Sequence, residues 1–175
     1  RLRMVLAVDP ECAEASGGLA VVALAQGNHA EAARMLARAF ENAPESDEVR
    51  TALQQALAQQ AGHPVPAPAF TPACVGRFYL RRTLPGPAAE AYAAAFRTAA
   101  ERDDVRLAYA TALWQGGVYE QAANLVRPLI ARSPRPLVAL LLCAAERLLS
   151  GDPAEGRRLW LEARAWDPDD SRATA

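Results

Sequence analysis

Residues 137–168 read LVALLLCAAERLLSGDPAEGRRLWLEARAWDP, and this stretch decides the fold. Its first half is almost entirely apolar, a Gly-Asp-Pro turn follows at 151–153, and an amphipathic second half ends at Pro168. Helices commonly stop at glycine, and proline shortly beyond a helical run prevents its continuation. The stretch therefore predicts two helices joined by a tight turn.

The same unit recurs with a period of 34 residues. Glycine and proline repeat at this spacing in the pairs Gly117 and Gly151, Pro134 and Pro168, and Pro10 and Pro44. Three copies follow, over 13–46, 103–136 and 137–170. The first helices share a small residue, at Ala20, Ala110 and Ala144. The second helices carry small, large and small residues, at Ala32, Leu36 and Ala39, at Ala122, Val126 and Leu129, and at Gly156, Trp160 and Ala163. Antiparallel helices approach closely only where side chains are small, so the repeat predicts stacked helix hairpins.

This order of small, large, small and proline resembles that of the tetratricopeptide repeat family. The resemblance implies an all-α solenoid of antiparallel helix hairpins, with about nine to ten helices, whose first helices line a concave face that binds a peptide or a partner protein. One subset of the family captures a terminal carboxylate with lysine, asparagine and arginine. Here the corresponding positions of the first copy are Gly17, Val21 and Leu24. We therefore expect an apolar groove.

The middle of the chain does not keep the period. Residues 46–61 predict a helix with an apolar stripe and a glutamine face, which suits the polar outer side of a capping helix. Proline at alternate positions in 62–70 excludes helix and predicts an extended connector. Thr71-Pro72 begins a helix to about Arg82, and Gly86-Pro87 begins another to about Arg102. The prediction is an array over 1–61, a proline-rich connector over 62–71 and a second array over 72–175.

Composition narrows the class of partner. A net charge of −1 gives no field that would hold a nucleic acid or an anionic membrane surface. The longest apolar run is too short to span a bilayer. Three dispersed cysteines indicate neither a disulfide framework nor a zinc site, so we expect no cofactor and a reduced, cytoplasmic setting. The chain opens as if within a helix, and we expect it to be a fragment of a longer polypeptide.

Few residues suggest catalysis. His29 and His63 stand in a turn and in the connector without a second ligand nearby in sequence, and Cys74 lies in the first turn of a helix, where the helix dipole lowers a thiol pKa. The partner-binding candidates are Arg77 and Arg81, a basic stripe suited to an acidic peptide, and Leu107, Thr111, Trp114, Leu141 and Ala145, which the family pattern places on the concave face.

The main functional hypothesis is a non-catalytic scaffold for protein assembly. A regulatory or substrate-positioning segment of a larger multidomain enzyme is the alternative. A helical enzyme that uses Cys74 or His63 is a third reading. Exposed apolar ends also predict end-to-end self-association.

Overall fold

The computed structural model describes residues 1–166, which form ten helices and no strand. The helices are α1 (Leu2–Val8), α2 (Ala13–Ala25), α3 (His29–Asn42), α4 (Asp47–Ala61), α5 (Pro72–Arg81), α6 (Pro85–Thr98), α7 (Asp103–Gln115), α8 (Tyr119–Val126), α9 (Leu137–Leu149) and α10 (Pro153–Trp166). The all-helical prediction is confirmed. The last residues of the third predicted copy, including Pro168, lie outside the described part of the chain.

Side-chain caps start the helices at the predicted positions. The backbone N–H of Val49 donates to Ser46 Oγ at 3.2 Å, and that of Cys74 donates to Thr71 Oγ1 at 3.3 Å. Each bond satisfies one of the N–H groups that the first turn of a helix leaves without a partner. The predicted end of α6 at Arg102 was wrong, because α6 stops at Thr98 and Arg102 precedes α7 as its N-cap residue.

Small residues lie where consecutive helices meet. Ala20, Ala32, Ala110 and Ala122 are fully buried, and a Cβ on Gly156 would lie 2.9 Å from the carbonyl oxygen of Ala144. Such a distance leaves no room for a side chain. The predicted pairing of α2 with α3, of α7 with α8 and of α9 with α10 is confirmed.

The predicted pairing of α5 with α6 is confirmed, and this hairpin is also a further copy in the same 34-residue frame, which was not predicted. Thr83 lies 34 residues before Gly117, and both have a positive φ, 53° and 82°. Gly76 and Ala88 stand at the places of Ala110 and Ala122, and a Cβ on Gly76 would lie 2.8 Å from the Tyr92 ring. The copy escaped detection because it has threonine instead of glycine at its turn.

The alternation of first and second helices along the stack changes at the connector. Helices α5, α7 and α9 pack directly on one another and form an inner row, and α3 packs on α5. Helix α4 packs on α3, and an extended segment follows it instead of a second helix; Gln54 Nε2 donates to the carbonyl of Val65 in that segment at 2.8 Å. Helix α4 therefore has no hairpin partner. As a result, the inner row of first helices, α5, α7 and α9, is continued by α3, which is the second helix of its own hairpin.

A division of the chain into separate arrays at 62–71 stays a prediction. None of the helices described is both long enough and apolar enough to cross a membrane.

Candidate functional site

The predicted concave residues lie along α7 and α9 of the inner row. Thr111, Trp114, Leu141 and Ala145 are all partly exposed. The Thr111 hydroxyl donates to the carbonyl of Leu107 at 2.9 Å, so its hydrogen is used within α7. We call the surface formed by these four residues the α7–α9 groove.

Leu107 lies in the core beneath this groove. Its side chain is 1% exposed, and it packs with Val126 and Leu140. Val8 of α1 packs against the same core cluster. A partner on the surface would therefore not reach Leu107, although its spacing along α7 matches that of Thr111 and Trp114.

The two predicted arginines bind carboxylates of this same chain. The Arg77 guanidinium, only 17% exposed, forms an ion pair with Glu11 and donates to Asn42 Oδ1 at 2.8 Å. Burial is the largest single influence and would lower the pKa of Arg77, but the Glu11 carboxylate together with Tyr92 and Asp104 outweighs it, and the pKa lies above its ordinary value. Arg81 pairs with Glu45 and stays half exposed. The basic stripe thus faces the first hairpin.

Arg102 extends this set of ion pairs to the start of α7. Its guanidinium lies 2.6 Å from Glu41 and 2.5 Å from Asp104. We call Glu11, Glu41, Arg77 and Arg102 the junction cluster. Its acids lie far from its bases in sequence, so no local pattern could have revealed these pairs.

A cleft of about 700 Å³ adjoins the α7–α9 groove. The turn before α8, the length of α8 and the end of α9 form its walls. Its exposed apolar residues are Val118, Tyr119 and Leu149, and the Tyr119 ring lies 4.6 Å from the ring of Trp114. The groove and the cleft therefore meet at an aromatic pair.

The charges in the cleft balance. Glu146 Oε2 lies 3.7 Å from both Arg127 and Arg147, beyond hydrogen-bond distance, and Glu120 adds a second acid. The cleft can therefore accept mixed polar contacts around an apolar centre, and it does not select one sign of charge.

The cysteines have thiols whose pKa is raised. Burial raises the pKa of Cys74, and the hydrogen bond with Thr71 offsets this only in part, so the expected lowering by the helix dipole is outweighed. Burial raises the pKa of Cys143 to about 11. His63 is exposed in the connector, with Nδ1 3.0 Å from the carbonyl oxygen of Pro64. Among the residues described, no group of histidine, cysteine or carboxylate side chains is arranged to hold a metal ion.

Comparison with known proteins agrees with the repeat pattern. A family model described as tetratricopeptide repeat matches residues 1–59, which cover α1 to α3 and most of α4. No curated protein matches the chain. Repeats of this family generally mediate protein–protein interaction and are typically non-catalytic. Residues 1–59 are thus similar to tetratricopeptide repeats, and stacked helix hairpins of the same kind continue beyond them.

Proposed function

We propose that this protein is a scaffold that binds a peptide or a partner protein on the concave face of its inner row, in the α7–α9 groove, and has no catalytic chemistry of its own. The observation that carries the proposal is the aromatic pair of Trp114 and Tyr119, which joins the groove to the cleft. Aromatic residues that remain partly exposed beside a cleft are typical anchors for a partner.

The partner is an apolar helix or an extended apolar peptide. In the groove, the Thr111 hydroxyl already donates its hydrogen within α7, and the other side chains are one indole and two aliphatic groups. The positive and negative charges in the cleft are equal in number. Val118 and Leu149 at the mouth are 44% and 65% exposed, which leaves apolar area for a ligand to cover. Burial of such area is the main favourable term in peptide binding. Of the two predicted arginines, Arg81 is the one with exposed surface left for a partner, because Arg77 is enclosed in the junction cluster.

A peptide-display selection on the purified chain tests this proposal. We expect selected peptides to be rich in large apolar residues. Their affinity should fall at least tenfold with Trp114→Ala, because the aromatic anchor is lost, and with Leu149→Asp, because a charge would stand at the mouth.

Val22→Asp provides the matched control. Val22 is also a half-exposed apolar residue, but it belongs to α2, so the substitution should leave peptide affinity unchanged. The proposal fails if selection yields no binder, or if the binders tolerate both Trp114→Ala in the groove and Leu149→Asp in the cleft.

A further inference from the structure

Two of the three faces of α5 are covered by neighbouring helices. Ala73, Gly76 and Leu80 pack toward α6, where Gly76 meets the ring of Tyr92. Cys74, Arg77 and Arg81 turn toward α3 and the segment before α2, where they contact the Phe40 carbonyl, Glu11 and Glu45. The periodicity of the helix leaves a third face for solvent.

That third face is apolar and aromatic, although a helix face in water is ordinarily polar. It consists of Val75, Phe78, Tyr79 and Arg82, which we call the α5 outward face. Val75 is 36% exposed and Tyr79 is 37% exposed. The apolar character of this face indicates that another element covers it.

The repeat itself shows what kind of element covers such a face. Tyr109 and Leu113 of α7 lie 34 residues after Val75 and Tyr79, and the preceding helix α6 packs against α7. The Tyr109 ring lies 6.0 Å from the ring of Phe96 on α6. Leu113 is only 7% exposed and belongs to a core cluster against which Ala89 of α6 also packs. The equivalent face of α7 is thus covered by an antiparallel helix.

None of the ten described helices takes that place on α5. The preceding helix, α4, packs on α3. The connector supplies only Phe70, whose ring lies 5.3 Å from Phe78 and is stacked at 5.8 Å on Phe40. Phe70 itself is 53% exposed. Phe70 extends the α5 outward face by one aromatic ring and leaves Val75 and Tyr79 exposed.

The positive charge of Arg82 on this face indicates the charge of the ligand. The Arg82 guanidinium lies 5.9 Å from the centre of the Phe78 ring and forms no ion pair with a carboxylate of the described residues. Arg82 stands at the place of Gly116, and a Cβ on Gly116 would lie 3.8 Å from Pro85 Cβ, at the start of α6. A helix bound to α5 as α6 binds α7 would therefore bring its first turn to Arg82. An acidic residue is favourable there both for the ion pair and for the helix dipole.

We propose that the α5 outward face docks an amphipathic helix of a partner protein, seated as α6 is seated on α7, with an acidic residue in its first turn that pairs with Arg82. This surface is separate from the α7–α9 groove, and its occupation does not depend on the groove. The ligand is recognised by a large apolar side chain near Val75 and Tyr79 and by the acidic side chain in its first turn.

The experiment uses the full chain and two synthetic helical peptides. Both have the sequence of residues 85–98, one with Pro85→Glu and one with Pro85→Lys, so they differ only in the charge that would meet Arg82. Backbone amide shifts of the ¹⁵N-labelled protein report where each peptide binds. We expect shifts at Val75, Tyr79 and Arg82, with the glutamate peptide binding about threefold more tightly, as an exposed ion pair allows.

Three variants make the result specific. Val75→Asp should remove binding, and Arg82→Glu should reverse the preference between the two peptides. Val22→Asp, at an exposed valine of α2 that lies in neither proposed surface, should leave both affinities unchanged. Because the groove proposal depends on Trp114 and Leu149, and this one on Val75 and Arg82, failure of either is distinguishable.

Several results would overturn the proposal. One is the absence of shifts at millimolar peptide. A second is a set of shifts centred on Tyr109 and Leu113, which would mean that the peptide displaces α6 from α7. A third is a concentration-dependent dimer in light scattering that disappears with Val75→Asp, which would assign the face to a second copy of the chain.

Discussion

Within the hairpins the helices meet through alanine and glycine, whereas α3 meets α5 and the start of α7 through the junction cluster. At the first kind of contact Gly156 lies directly against the backbone of α9. At the second kind, Arg77 and Arg102 reach across to Glu11 and Glu41. The two kinds of contact constrain the molecule differently. Small residues set how closely helices approach, while paired charges set which residues face each other.

This difference follows from the helix that lacks a partner. Because α4 is followed by the connector, α3 meets α5 in a pairing that no hairpin uses. Charged side chains bridge this contact. Variants that act on one kind of contact and not on the other can test the contrast.

The largest effect should come from the contact within a hairpin. Gly156→Leu forces a side chain against the Ala144 carbonyl and against Leu148, and we expect it to lower the free energy of unfolding by about 3 kcal/mol. Urea unfolding monitored by circular dichroism measures the loss.

Gly17→Ala is the matched control, since Gly17 is also a helical glycine but has open space where its Cβ would lie. Alanine there should raise the free energy of unfolding by about 0.5–1 kcal/mol. Equal losses at Gly156 and Gly17 would contradict close approach as the cause.

At the junction, Arg77→Met should cost somewhat less. It leaves the Glu11 carboxylate enclosed without its cation, and because that site retains some solvent we expect a loss of about 2 kcal/mol. The double variant Glu11→Gln with Arg77→Met should lose less than the sum of the single variants, with a coupling of about 1 kcal/mol. Urea unfolding of all four proteins measures the cycle.

Arg50→Met removes an ion pair of the exposed kind, with Asp47, and should change stability by less than about 0.5 kcal/mol. If the Arg77 and Glu11 losses add without coupling, the junction cluster does not act through this pair.

Two buried cysteines report separately on the two kinds of contact. Cys74 Sγ lies 4.0 Å from the Phe40 carbonyl oxygen at the junction, and Cys143 Sγ lies 4.0 Å from the Ala123 carbonyl oxygen between α8 and α9. Opening of the junction alone would expose Cys74. We expect Arg77→Met to speed labelling of Cys74 by a thiol reagent about tenfold, which corresponds to about 1.4 kcal/mol, and to leave Cys143 unchanged. Peptide mass spectrometry after timed labelling measures both rates, and equal acceleration of the two would mean that the junction and the contact between α8 and α9 open as one unit.

The fold could be predicted from sequence where its determinants are local. Proline and glycine at fixed spacing, and small residues at Ala110 and Ala122, identify a hairpin because each acts within one repeat. The copy formed by α5 and α6 was missed, although Gly76 and Ala88 keep the period, because Thr83 occupies a turn position where glycine is usual.

The candidate site was predictable only in part, for a related reason. Periodicity placed Thr111 and Trp114 on one face of α7, and the structure leaves both partly exposed. Periodicity could not show that Leu107 lies in the core, because this depends on its packing with Val126 and Leu140 of later helices. It also could not show that Arg77 binds Glu11, because this depends on how the segment before α2 lies against α5. Contacts between distant parts of the chain leave no trace in local spacing.

The smallest expected effect concerns the turn at Thr83, where threonine in place of glycine kept the copy formed by α5 and α6 from being predicted. Thr83 has a φ of 53°, a left-handed conformation that costs a β-branched residue about 1 kcal/mol, whereas Gly117 at the equivalent turn has no such cost. Thr83→Gly should therefore raise the free energy of unfolding by a few tenths of a kcal/mol, because relief of the backbone exceeds the added entropy of the unfolded glycine. Gly117→Ala should lower it by about 1 kcal/mol. Thermal unfolding of both variants measures the pair. A loss of stability with Thr83→Gly would mean that the Thr83 hydroxyl, which donates to the Arg82 carbonyl at 2.7 Å, matters more to this turn than its backbone conformation.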